Sequence, residues 1–414
     1  MASICKAARR LPASFMVGLL ALLAWSPLAV ARGNGIQAGA GRLHFGADLA
    51  LVYDSNPSFA GEPTGDLMLR ARPVISLLFP SDFVDFALNG RVGYDYYFGV
   101  QNSRTSDLSA VTGEADLAVG FNPRGQFSVF IEDVFSRTGD PRYTSLSGRF
   151  DRTCNEAKLH LQYKPGGGAL MFDLAYGFFL DWYDKTGFEA EALRSYSHRV
   201  YLSSKWKFLP KTAVTIDFDS DIRRYPYAYS NGTSNVDLNA IRVTAGLLGQ
   251  ITPSFALLVK AGYGDSLLEA PEGYTGSGYR SAIGQAEATF QRGTFMLQAG
   301  YLRTFQPTPL FAFMGQDGFY LRYRQQIAGR FELAANLNFD LLGFGTGVQA
   351  DAGSRDDMFL VGGLNFAYHI LDWLSLSLDY RFQSLFSDYQ QPLAGAGGVE
   401  YNKHVVTFLV GLDY

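Results

Sequence analysis

From residue 42 to the C-terminus the chain repeats one pattern about eighteen times: an apolar side chain, then a polar or small one. In the final stretch Val406, Phe408, Val410, Leu412 and Tyr414 share one parity. Lys403, Val405, Thr407, Leu409, Gly411 and Asp413 share the other. A repeat of two is the geometry of a β-strand whose faces meet two different environments. A soluble sheet gains nothing from so many Phe, Leu and Tyr on one face of every strand opposite Asp, Arg, Gly and Ser. A closed barrel in a bilayer does, because its wall pairs every backbone N–H and C=O and leaves only side chains to meet hydrocarbon. The pattern predicts an all-β fold, a single closed antiparallel transmembrane β-barrel of about eighteen strands.

The connectors support that count. Short ones near 80–82, 122–125, 164–168, 209–211, 252–254, 292–294, 328–329 and 371–373 include Pro-, Gly-, Asn- and Asp-containing turns with hairpin chemistry. Longer ones near 55–65, 99–106, 136–149, 184–194, 225–236, 266–279, 306–317, 343–357 and 387–401 alternate with them. Eight turns and nine loops require eighteen strands, with both chain ends on the short-turn side. Short periplasmic turns and longer external loops are the outer-membrane arrangement. Outward-parity aromatics collect beside the turns (Phe79, Phe121, Tyr163, Phe208) and beside the loops (Tyr53, Tyr96, Trp182, Tyr263), two belts for two interfaces. Pro73 falls inside the second strand on the lipid side and removes a ladder donor, so a bulge or local gap is expected there.

Three segments follow. Residues 1–31 have the form of a secretory signal: Lys6, Arg9 and Arg10, a short apolar core, then Ala29, Val30 and Ala31 as a small-residue cleavage site. Residues 32–41 are expected to be a short periplasmic N-terminal segment, and 42–414 the outer-membrane β-barrel. Cleavage removes Cys5 and leaves Cys154 alone, so no internal disulfide is expected. It also removes three basic residues and no acid, which takes the formal charge from −4 to −7 and argues against nucleic acid as a partner. Charged residues at 18% and aromatics at 15% suit a wall with one face in lipid.

The C-terminal strand resembles the recognition strand of outer-membrane β-barrel proteins, which ends in an aromatic with apolar residues at alternate positions before it. Here Phe408, Val410, Leu412 and Tyr414 fill those positions, with Tyr in place of the commoner Phe. The resemblance implies the barrel-assembly machinery as a partner. Tyr53-Asp54-Ser55-Asn56-Pro57 resembles a motif of a loosely defined group of outer-membrane porins, some of which look like the outer-membrane barrels of polysaccharide-secretion systems.

Enzyme chemistry is not expected. His44, His160, His198, His369 and His404 lie on five different strands, and no pair has metal-ligand spacing. Ser230, Asn231 and Gly232 have the composition of a turn. Gly395, Gly397 and Gly398 lie in a loop, so no phosphate cradle is implied. Asp217, Asp219 and Asp221 alternate on one strand. A cation site there is outweighed by an acidic stripe balanced by Arg223, Lys205 and Lys207. No cofactor or metal is expected.

Inward parity instead gives pore-lining candidates of mixed sign: Asp48, Arg70, Arg72, Arg91, Asp95, Glu114, Asp116, Lys158, Asp181, Tyr201, Lys205, Asp217, Asp219, Arg322, Arg324, Asp340 and Arg381. A barrel this wide leaves an aqueous channel, and mixed signs suit neutral or zwitterionic polar solutes. No external loop exceeds about 15 residues, so none is expected to fold inward. Inward Tyr97, Phe179, Tyr183, Tyr201 and Tyr320 offer aromatic faces to sugar rings. The expectation is a passive conduit in outer-membrane lipid for carbohydrate cargo, foremost export of a polysaccharide with separate periplasmic export proteins. The alternative is a general or sugar-selective porin for small-solute uptake.

Overall fold

Alternating side chains become the two faces of one continuous wall in the computed structural model, which describes residues 33–100, 103–139, 151–184, 190–230, 232–269, 274–347, 355–389 and 399–414. The signal-like residues 1–31, and Gly395, Gly397 and Gly398, lie outside the described residues.

The strands in chain order are β1 (Ile36–Ala38), β2 (Gly41–Asp54), β3 (Asp66–Phe79), β4 (Val84–Tyr97), β5 (Ala110–Phe121), β6 (Phe127–Thr138), β7 (Arg152–Tyr163), β8 (Leu170–Tyr183), β9 (Ser195–Leu209) and β10 (Thr212–Arg224). They continue as β11 (Asp237–Thr252), β12 (Phe255–Asp265), β13 (Leu268–Glu269), β14 (Arg280–Arg292), β15 (Phe295–Gln306), β16 (Met314–Ile327), β17 (Phe331–Phe344), β18 (Arg355–Leu371), β19 (Leu374–Ser387) and β20 (Tyr401–Asp413). Each long strand pairs antiparallel with the next, and β2 pairs with β20 from Gly46↔Asp413 to Asp54↔Val405. First and last strands therefore meet. Setting aside the short β1, which folds back on β2, and β13, which extends β11, the closed wall has eighteen strands among the described residues.

The faces differ as the parity requires. Phe45, Leu49 and Leu51 are 46–49% exposed on the outside, while Ala50 and Val52 between and beside them are 2% exposed. Outward aromatics cluster at the short-turn end, where Phe331 stacks on Tyr368 at 4.5 Å, and at the long-loop end, where Trp182 meets Tyr227 at 6.2 Å. The 164–168 turn is made possible by Gly166, Gly167 and Gly168, whose φ values of 63°, 74° and 91° lie in the left-handed region. At Pro73 the β3–β4 ladder skips two pairs, between Ala71↔Tyr94 and Val74↔Arg91, and resumes in the same register. The result is a gap without a bulge.

Apolar packing inside the wall does not form one central core. It gathers in small clusters at the long-loop end. There Phe59, Leu193, Tyr229, Leu310 and Phe311 turn in from the connectors, against the expectation that the loops stay out of the bore.

Candidate functional site in the lumen

The lumen has three tiers. The upper tier, at the long-loop end, is occupied by connectors. The segment after β15 crosses the mouth. Leu310 packs against Tyr183 and Leu193 on one side, and against the cluster of Phe311, Met314, Leu342 and Phe344 on the other. Tyr229 donates from its hydroxyl to the Pro309 carbonyl at 3.2 Å, and the Gly345 amide donates to the Phe313 carbonyl at 2.9 Å. The far end is pinned by Arg355 and Asp357, both fully buried, with Nε donating to the two carboxylate oxygens at 3.1 and 2.9 Å. The Arg355 guanidinium lies over Phe344 at 4.4 Å and Tyr389 at 5.2 Å, a cation–π arrangement. Burial raises the Tyr389 phenol above its ordinary value against the pull of Arg355.

A second inward connector starts at the Tyr53–Pro57 motif. Lys403 bonds Asp54 at 2.8 Å and the Asn56 carbonyl at 3.0 Å, and sits 3.8 Å over the Phe59 ring. Fully buried Asn56 donates its side-chain amide to the carbonyls of Ala60 and Asn402. Sequence reasoning missed these anchors because periodicity ends where connectors begin. The one available signal was Lys403, a cation of inward parity on the last strand.

The middle tier is a charge network on β7–β12. Arg199 bridges Glu156 at 2.8 Å and Asp221 at 3.4 Å, with Arg223 adding to Asp221 at 3.5 Å and Lys158 to Glu156 at 3.1 Å. Arg242 pairs with Asp219, and Lys260 with Asp217 at 2.7 Å. The acidic stripe is thus neutralised by Arg199, Arg223, Arg242 and Lys260, and not by Lys205 and Lys207. No cluster able to hold a metal ion occurs among the described residues. A cleft of about 260 Å³ lies between this wall, Tyr201 included, and the first turn of the crossing segment, where Arg242 also donates to the Phe305 carbonyl.

The opposite wall carries looser pairs. Arg70 grips Asp95 through two bonds of 2.8 and 2.7 Å, and Arg91 faces Glu114 at 3.5 Å. Asp48, Arg72 and Asp116 belong to the same inward face. On the third side Arg324 meets Glu332 at 2.9 Å, Arg322 donates to Gln298 and overlies Tyr320 at 4.9 Å, Gln316 donates to Asp340 at 2.8 Å, and Arg381 lies between β18 and β20. Asp181, also inward, is 1% exposed and tied to Arg152 in the filled upper tier.

The lower tier, at the short-turn end, holds Lys205, Lys207 and Lys211 around a cleft with Gln250, Thr289 and Gln291 and no carboxylate. The rings expected to face sugars divide. Tyr97, Phe179 and Tyr183 are buried at 3%, 2% and 0%, with Phe179 held 4.4 Å under Arg199, so they present no face to a passing solute. Tyr201 lines the middle cleft, and Tyr320 donates its hydroxyl to Glu287 at 2.6 Å.

A closed wall, apolar outside with aromatic belts at both rims and charged within, defines the class: an integral β-barrel of the bacterial outer membrane with a porin-like lumen. No family model matches the chain, and no curated protein matches it. Among solved structures it is similar to the outer membrane protein OpdK from Pseudomonas aeruginosa (10% identity, 90% of this chain and 99% of that one, TM-score 0.49). It is also similar to OpdL from Pseudomonas aeruginosa (12%, 91% and 99%, 0.47) and OccAB4 from Acinetobacter baumannii (11%, 91% and 99%, 0.48). Similarity of that size carries no information about cargo.

Proposed function

We propose that this chain is a diffusion channel for small polar solutes across the outer membrane, and not an exporter of polymer. The observation that carries the reading is the crossing segment, which ties Tyr183 and Leu193 on one wall to Phe344 and Tyr389 on the other through Leu310 and Phe311. A polymer needs a bore that is open along its whole length, whereas single small solutes pass around a constriction. Polysaccharide export drew support from loops thought to stay outside and from aromatic rings thought to face the cargo. The loops fold in and three of the five rings are buried. The periplasmic export proteins that such a role requires fall with it. The mixed signs of the middle tier suit neutral and zwitterionic solutes. Outward Phe408, Leu412 and Tyr414, 36–65% exposed, put the last strand's apolar residues on the outer face, in keeping with recognition by assembly machinery before the barrel closes.

Liposome swelling tests the reading. Vesicles holding the purified protein are expected to swell in monosaccharides and amino acids and to stay unchanged in long oligosaccharides. Free passage of long oligosaccharides, or loss of surface polymer in a deletion strain, favours export instead.

A further inference from the structure

Outward-facing charges on the described wall lie within three residues of a strand end, with one exception. Asp133 sits near the middle of β6, on the same outward parity as Phe127 and Ile131, which are 52% and 42% exposed. At that height a single barrel presents it to acyl chains, which donate no hydrogen bond, and a carboxylate there is costly. Among the described residues its carboxylate takes hydrogen bonds from one group, the Asn155 amide of β7, at 3.0 and 3.2 Å. Beside it on β7 the outer wall is low. Ala157 of β7 is level with Asp133, and Leu117 is level with it on β5. Above Asp133 the polar seam runs on to the long-loop end, where Arg137 reaches Thr153 at 2.9 Å and Asp184 at 2.5 Å.

We propose that the outer face of β6 and β7 is where two copies of this chain pair side by side in the membrane. A two-fold axis along the barrel places each copy's Asn155 against the other's Asp133, so one donor–acceptor pair, used twice, completes both carboxylates. Two convex cylinders touch along a line, and the small side chain of Ala157 beside Asp133 lets the backbones approach there. A lipid headgroup does not reach that depth, and a partner of different chemistry is not needed to supply the missing donors.

Oxidative cross-linking in native outer membranes tests this. Ala157→Cys is expected to give a species of twice the chain's mass. Ala261→Cys, on the outer face of β12, and the parent chain with Cys154 buried inside are expected to give none. Asp133→Leu with Asn155→Leu, placed in the Ala157→Cys background, is expected to reduce the cross-linked species to the level of the parent, while heat-modifiable gel mobility shows that the barrel still folds. Absence of the doubled species with Ala157→Cys, its capture of a different protein, or undiminished cross-linking in the Leu variants overturns the proposal.

Discussion

At Asn56 a five-residue resemblance acquires a physical cause. The Asp54 carboxylate accepts from the Asn56 backbone N–H at 2.9 Å and from Lys403, and the Asn56 side-chain amide reaches across to the Asn402 carbonyl of the last strand. The motif therefore closes the barrel at its loop end by stitching β2 to β20. Removing the amide leaves buried carbonyls and the Ala60 N–H unsatisfied, at a cost of about 1–3 kcal/mol. Asn56→Ala is expected to lower the urea midpoint of unfolding in detergent while leaving the strand content unchanged. A midpoint equal to that of the parent removes the stitch from the account. The sequence showed Lys403 on the inward parity of the last strand and Asp54 inside the five-residue motif. It did not show that they meet, because residues 349 positions apart become neighbours only when the sheet closes.

At the scale of elements, the strands and turns were legible because period two and hairpin chemistry are local. β2 and β3 run 41–54 and 66–79, and all eight short turns fall where Pro, Gly, Asn and Asp punctuate the pattern. Lateral pairing was not legible, since the stagger between neighbours sets which charges meet. Lys260 and not Lys205 reaches Asp217 for that reason. The inward connectors were missed for a related one: irregular segments have no period, and short length alone does not keep a loop outside. Pro73 shows a local rule operating as expected. It withholds one donor, and the ladder loses two pairs without losing register. Pro73→Ala is expected to slow amide hydrogen exchange in peptides covering β4 around Val92 and Gly93. Unchanged exchange there would mean that the gap has another origin.

For the whole molecule, the wall encloses the lumen and the connectors fill its loop end. Eighteen strands enclose more space than small-solute passage needs. Buried anchors at Arg355, Asp357, Lys403 and Asn56 hold the inserted segments against both sides of the mouth. The composition and alternation of the sequence established a barrel in lipid with a charged interior. They did not establish how much of that interior stays open, which depends on side chains meeting across the bore. The most direct measurement is single-channel conductance in planar bilayers for the parent chain and for a variant in which residues 307–313 are replaced by a short Gly-Ser linker. The expected result is a small, steady conductance for the parent and a several-fold larger one for the variant. Equal conductances, or a parent channel already as wide as an unobstructed barrel of this size, would contradict the constriction.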